Sequence, residues 1–224
     1  MHIRLSPSTI ALAKECPRCF WLAVRENVRR PSGPFPSLPG GMDNIIKSYF
    51  DSFRVKDELP PEIEGKITGK LFPDLKKLNE WRNWRTGLRY TDKELDASLS
   101  GALDDLLVDD EYYLPLDYKT RGYALKADTQ NYYQHQLDLY ALMLEENGMP
   151  TNGSAYLLYF HPVEVVKDGL GLVRFEVTPK KEEANVVRAR ELFASAVKTA
   201  HGEIPVSHTQ CAFCNWGTIL SGFE

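Results

Sequence analysis

Asp104, Asp117 and Lys119 are the residues of this sequence whose types and spacing suit chemistry on a phosphate ester. Asp117 and Lys119 stand two apart in an apolar run, so on a β-strand both project from one face. Asp109-Asp110-Glu111 reads as a tight turn, and a hairpin about it brings Asp104 beside them, from a preceding strand that carries Gly101-Ala102-Leu103-Asp104. Two converging carboxylates can hold a hard cation such as Mg²⁺ or Mn²⁺, with the Tyr118 carbonyl as a third oxygen. The lysine would then orient an attacking water or offset charge on a phosphate. Asp-x-Lys alone is commonly a surface ion pair. Gln136 and Tyr140, four apart on one face of the next predicted helix, make the combination more specific.

A second constellation lies at the chain ends. Cys16-Pro17-Arg18-Cys19 and Cys211-Ala212-Phe213-Cys214 form two C-x-x-C pairs, enough thiolates for a tetrahedral Zn²⁺ or an iron–sulfur cluster. Such a centre would join residues 1–30 to residues 200–224 as a structural subdomain. A third group interleaves cations with indoles, where Arg82 and Arg85 flank Trp81 and Trp84. Single-stranded nucleic acid is gripped by such a mixture, and an amphipathic helix with a tryptophan face accounts for it equally. Arg121 and Lys126 follow the Asp117 strand and are placed to meet a phosphate.

The elements that must position these residues are legible from periodicity. Ser6-Pro7 opens a helix to about residue 15, and Pro17 interrupts it. Residues 30–41 read as a proline- and glycine-rich loop, and residues 42–56 as a helix with Ile46, Phe50 and Phe53 on its apolar face. A helix over 74–84 precedes strands at 88–93, 95–108 and 112–120. The clearest helix spans 129–147, stopped by Gly148, and a buried strand follows at 155–160. A strand at 172–177 and a helix opened by Pro179 complete the pattern. The order helix, three strands, helix, strand predicts a mixed α/β sheet with its core over residues 41–162, in one domain spanning 1–224.

The chain has 224 residues, 43% hydrophobic and 26% charged, a balance that belongs to a globular protein and excludes a disordered tail. Its net charge of −4 argues against coating nucleic acid by bulk charge and leaves room for a local basic groove. No apolar run approaches bilayer length or the core of a signal peptide, so no membrane partner is expected and a cytoplasmic location is.

On Gly101 to Asp104, Asp117 to Lys119 and Gln136 to Tyr140, in that order, the sequence resembles the PD-(D/E)XK nuclease superfamily. The Q-x-x-x-Y motif is similar to that of its RecB-like branch. The terminal cysteines resemble those of the CRISPR-associated, Cas-four-type iron–sulfur exonucleases. The resemblance implies a restriction-endonuclease-like core, a Mg²⁺- or Mn²⁺-dependent deoxyribonuclease acting on single strands or ends, and a [4Fe-4S] cluster at the cysteines, with Zn²⁺ the alternative. It also implies DNA as partner and a place beside CRISPR-adaptation or repair proteins. Two departures stand out. Relatives use one N-terminal and three C-terminal cysteines, whereas this chain has two and two. Many relatives carry a histidine near the start of the first core helix, where this chain has Asp43, which is either a substitute ligand or a favourable charge at the helix N-terminus. The alternative function is a non-catalytic nucleic-acid-binding or adaptor protein that retains the fold.

Overall fold

The computed structural model describes residues 1–33, 37–125, 132–166 and 171–221. A short strand, β1 (Ile3–Leu5), leads into α1 (Pro7–Glu15). Ser6 caps this helix by accepting the Thr9 N–H (3.3 Å) while Thr9 Oγ1 accepts the Ser6 N–H (2.7 Å), a reciprocal capping box with Pro7 in the first turn. Pro17 does end the first helix, but it also starts α2 (Pro17–Arg25), whose cap is the Cys16 sulfur. The predicted loop at 30–41 is shorter than expected, because α3 (Ser37–Arg54) already includes Pro39-Gly40-Gly41 in its first turns, where proline's missing N–H costs nothing.

After β2 (Lys70–Leu71) and α4 (Leu75–Arg82), the run expected as one strand over 95–108 is two. β3 (Leu88–Asp92) and β4 (Ala97–Gly101) belong to a three-stranded sheet ordered β1-β4-β3. β5 (Asp105–Asp109) and β6 (Tyr112–Thr120) form a hairpin in a five-stranded sheet ordered β2-β5-β6-β7-β8. The chain changes sheet at Ala102-Leu103-Asp104, just after Gly101. A side chain at Gly101 would lie 2.7 Å from Met143 Cε and 3.1 Å from Tyr140 Cε1, so these two side chains pack directly on the strand backbone there. The Asp110 backbone takes the left-handed conformation in the hairpin turn, which aspartate tolerates better than most residues.

From β6 the chain crosses through α5 (Gln134–Glu146) to β7 (Ser154–Val165), which pairs parallel to β6. Gly148, at φ +77°, closes α5, and the Met149 N–H bonds back to the Leu144 carbonyl (3.0 Å). The predicted helix at Pro179 is overturned: β8 (Val173–Glu183) continues through it. An edge strand tolerates proline, and β8 is at the edge of its sheet. The helix begins only at α6 (Val186–His201), capped by Asn185. The tail is ordered as α7 (Ala212–Ser221).

The five-stranded sheet is covered on both faces. Ile46 and Phe50 of α3 pack with Leu116, Tyr118, Leu158 and Phe160 on one face. Leu137 and Ala141 of α5 pack with Leu157 and Tyr159 on the other. Strand alternation thus sends Tyr118 towards α3 while Asp117 and Lys119 face α5. Among the described residues no helix is long and apolar enough to cross a membrane.

Candidate active site and cysteine centre

The β5–β6 register pairs Asp105 with Leu116, so Asp104 stands just past the end of the ladder, across from Asp117. Asp104 lies in the bend before β5 and not on a strand as its motif suggested. Its Oδ2 accepts the Tyr118 N–H at 3.1 Å, which turns the carboxylate towards β6. Asp117 is 1% exposed and forms a close ion pair with Lys119. Gln136 ties the set together. Its Nε2 donates to Asp117 Oδ1 (3.0 Å) and to the Tyr140 hydroxyl (2.9 Å), while its Oε1 accepts from Lys119 Nζ (3.1 Å). Tyr140 in turn donates to the Ala102 carbonyl (2.6 Å). One amide therefore satisfies a carboxylate, an ammonium and a phenol, with its donors and acceptor all used in their proper sense. The Lys119 ammonium also sits 4.4 Å from the Tyr133 ring centre, which confines it further.

Burial pushes the Asp117 carboxyl up to about 7; Lys119 pulls it down and Asp104 pushes it up again. The buried Asp117 Oδ2 is the oxygen that meets the Lys119 ammonium. Two facing carboxylates, one of them penalised for its charge, are a donor set that a hard divalent cation fits.

Lys47 completes the cluster and carries no signal in the sequence motifs. From α3 its Nζ contacts Asp43 Oδ2 (2.7 Å) and Asp104 Oδ1 (2.9 Å), bridging them. Burial alone would lower this ammonium, but Asp104 and Asp43 outweigh it and hold it up. Asp43 thus reaches the cluster through a lysine. Among the described residues it forms no close three-carboxylate group with Asp104 and Asp117. The available clue was spacing, since Asp43 and Lys47 stand one helical turn apart.

Directly behind the motif lies a buried ion network. Asp105 is wholly buried and accepts from Arg54 Nη2 (2.7 and 2.6 Å), Arg82 Nη2 (3.1 Å) and the Tyr118 hydroxyl (2.6 Å). Arg82 also pairs with Asp51 (2.7 Å) and donates Nε to the Asp104 carbonyl (2.8 Å). Burial would lower the Arg82 guanidinium, and Asp51 and Asp105 reverse the direction. This corrects the reading of Arg82 as a nucleic-acid contact, because its side chain is 9% exposed and its donors face carboxylates. Arg54 was legible only as an arginine in phase with Ile46 and Phe50 on an apolar helix face.

The other expected contacts are separate from this cluster. Arg85 stacks on the exposed Trp84 ring (5.0 Å), and Arg121 lies over Tyr123 (5.6 Å) and Tyr159 (6.0 Å). Lys126 lies outside the described residues.

The four cysteines converge from both ends of the chain. Their sulfurs lie within 4.8 Å of one another, with Cys16–Cys214 at 3.6 Å, Cys19–Cys211 at 3.7 Å and Cys19–Cys214 at 3.9 Å. These are free thiols, well beyond disulfide bonding distance. Burial pushes the Cys19 thiol up to about 12. Burial acts the same way on Cys211, but the Cys214 backbone N–H and the neighbouring thiols outweigh it and bring it down to about 6. Four crowded sulfurs with opposed proton affinities are a thiolate donor set suited to a metal. Arg30 adds a positive charge by donating to Cys211 Sγ (3.2 Å).

No curated protein matches the sequence. The family model described as the PD-(D/E)XK nuclease superfamily matches residues 42–219, which takes in most of α3, the β5–β6 hairpin, α5 and β7 together with the second cysteine pair. With that match spanning most of its length, and with two sheets and helices arranged around an aspartate–lysine strand, the chain belongs to the PD-(D/E)XK nuclease superfamily.

Proposed function

We propose that the protein is a metal-dependent deoxyribonuclease, one domain closed by its cysteine centre, acting on single strands or free ends. The observation that carries this reading is the convergence of Asp104, Asp117, Lys119 and Gln136 at one end of the β5–β6 hairpin. Asp104 and Asp117 would hold Mg²⁺ or Mn²⁺, with the Tyr118 carbonyl as a further oxygen. When bound, that cation polarises the scissile phosphate and makes water a better nucleophile. Lys119, held by Gln136 against Asp117, offers its ammonium to the attacking water and to charge accumulating on the phosphoryl oxygens. Gln136 and Tyr140 are positioning residues that fix the lysine and the Asp117 carboxylate. Arg85 beside the exposed Trp84 and Arg121 beside the exposed Tyr123 would meet an approaching strand. A RecB-like affiliation with exonuclease action, and work beside CRISPR-adaptation or repair proteins, belong to the same proposal and rest on the resemblance of the motifs.

At the cysteines the sulfur spacing supports Zn²⁺ over the [4Fe-4S] cluster that the resemblance favours. A tetrahedral ion with metal–sulfur bonds of about 2.3 Å sets its sulfurs about 3.8 Å apart, close to the separations here. A cubane of four irons and four sulfides needs its thiolates spread well beyond the 4.8 Å that encloses these. Metal analysis decides between them: colourless protein with stoichiometric zinc is expected, and brown protein with matching iron and sulfide would overturn the zinc assignment alone.

The test of the nuclease is cleavage of end-labelled single-stranded DNA in Mg²⁺ or Mn²⁺, with an EDTA control. Cleavage that disappears in folded Lys119→Ala is expected, and the product ladder gives its polarity. Wild-type protein that cuts neither single-stranded nor duplex DNA with its cysteine site filled would refute the reading and leave a binding or adaptor role.

A further inference from the structure

Beside the cysteine centre, on the terminal helices α2 and α7, lies a cavity of about 400 Å³, within the size range of a small-molecule site. Arg18, Arg29 and Arg30 line it together with Phe213 and Trp216, and no aspartate or glutamate does. Glu15 and the cysteine sulfurs already engage Arg30, so the cations this lining leaves for a ligand are Arg18 and Arg29. The three guanidiniums differ in their engagements. Arg30 is held by Glu15 (2.7 Å) and Cys211 Sγ (3.2 Å) and stacks on Phe213 (4.6 Å). Arg18 gives one nitrogen to the Pro205 carbonyl (2.9 Å). Arg29 is exposed and, among the described residues, has no hydrogen bond or ion pair. Phe213 has one face covered by Arg30, whereas Trp216 is 62% exposed at the rim, so its indole presents an open face.

We infer that this cavity is a binding site for one nucleotide of a single-stranded nucleic acid, separate from the Asp117 site. Trp216 stacks the base, and Arg29, assisted by Arg18, pairs with the adjoining phosphate. The chemistry favours a nucleic acid over an acidic peptide because the cations lie next to a flat open aromatic face, which recognises any base by its π-surface. The inference rests on the nuclease reading for its ligand class. It gives the cysteine centre a second role, since Cys19 and Cys214 line the same cavity and the centre fixes α2 against α7.

The test is fluorescence anisotropy with a dye-labelled 12-mer single strand, measured in EDTA concentrations that block cleavage and leave the cysteine metal in place. Wild-type protein should bind. Trp216→Ala should weaken binding by roughly 5- to 150-fold, the range for loss of one stacked base. Arg29→Gln should reduce the slope of log affinity against log salt by about 0.7, one phosphate contact on a single strand. Both side chains are exposed, so unchanged metal content and melting temperature are expected and confirm folding. Binding of both variants within twofold of wild type, or absence of wild-type binding, would overturn the inference. A peptide library captured by wild type but not by Trp216→Ala, with DNA binding intact in both, would assign the cavity to a protein partner. Cleavage in Mn²⁺, assayed in parallel, reports on the nuclease reading independently.

Discussion

Asp105→Asn should cost this protein a large part of its stability although Asp105 contacts no substrate. The carboxylate is fully buried and surrounded only by donors: Arg54, Arg82, the Tyr118 hydroxyl and the Leu106 N–H (2.7 Å). Asparagine keeps the shape but replaces one accepting oxygen with an amide nitrogen that must point at a guanidinium or a phenol. Arg54, 1% exposed, then loses its fully buried counter-charge and keeps only the partly exposed Asp51 (3.2 Å). Breaking a buried pair in this way costs about 3–5 kcal/mol, against a total of about 5–15 kcal/mol for a typical domain. At roughly 2–4 °C per kcal/mol for this chain length, the melting temperature should fall by roughly 6–20 °C. Urea unfolding of wild type, Asp105→Asn, Arg54→Met and the double variant measures it, with the exposed Asp57→Asn as a control near zero. The double variant should be less destabilised than the sum of the singles, because it removes both members of the pair. A loss under about 1 kcal/mol for Asp105→Asn, or strict additivity, would refute the claim that Asp105 is the buried counter-charge of Arg54.

Three other outcomes follow from the same contacts. Because burial holds Asp117 near pH 7 while an unfolded aspartate titrates near 3.8, the native state binds the extra proton between those values. Metal-free stability should therefore decline as pH rises from about 4 to about 7, and a thermal-melt series should show that slope flattened in Asp117→Asn. Gly101→Ala should cost about 1–3 kcal/mol by overpacking and reduce cleavage: Met143 can shift, but Tyr140 is tied to Ala102 and Gln136, so an unchanged turnover would count against its positioning role. Cys211→Ser should lose the terminal metal, and with it about 4 kcal/mol if free metal is held at about a thousand times the wild-type site's dissociation constant, as read by metal analysis and melting.

The acid–lysine–amide set was legible because each member is placed by a simple period: two on a strand for Asp117 and Lys119, four on a helix for Gln136 and Tyr140. What the sequence hid is long-range. Lys47 and Asp104 are far apart in sequence and meet only after α3 packs on the sheet, and nothing local marks that docking. Arg82 looked like an exposed cation between tryptophans because composition does not say which side of α4 faces the core. The break between β4 and β5 was missed since an apolar run carries no mark of which sheet each half joins. Pro179 misled for a related reason: proline opens helices, but it also suits an edge strand, and edge status is a property of the assembled sheet.

The adjacent aspartates 104 and 105 show how the fold couples stability to the proposed chemistry. Asp105 faces two buried arginines, and one of them, Arg82, also holds the Asp104 carbonyl, so the peptide between them is fixed from both sides. Asp104 is thereby aimed by a network that never touches substrate, which is why a change at Asp105 should disturb metal affinity as well as folding. The charges point the same way. Around the hairpin end, the carboxylates of Asp43, Asp51, Asp104, Asp105 and Asp117 outnumber the cations of Lys47, Arg54, Arg82 and Lys119 by one. Above about pH 7, where Asp117 is ionised as well, that excess repels a strand phosphate until a divalent cation reverses its sign. On this reading the carboxylate excess is a gate in itself: strand entry at the hairpin end should require the divalent metal, whereas strand binding at the arginine-lined cavity on α2 and α7 should not. Anisotropy with and without Ca²⁺, a hard divalent cation that oxygen ligands accept, separates the two. Wild-type affinity should rise with Ca²⁺, and a Lys119→Ala, Asp117→Asn double variant should lose that increment while keeping the metal-independent part.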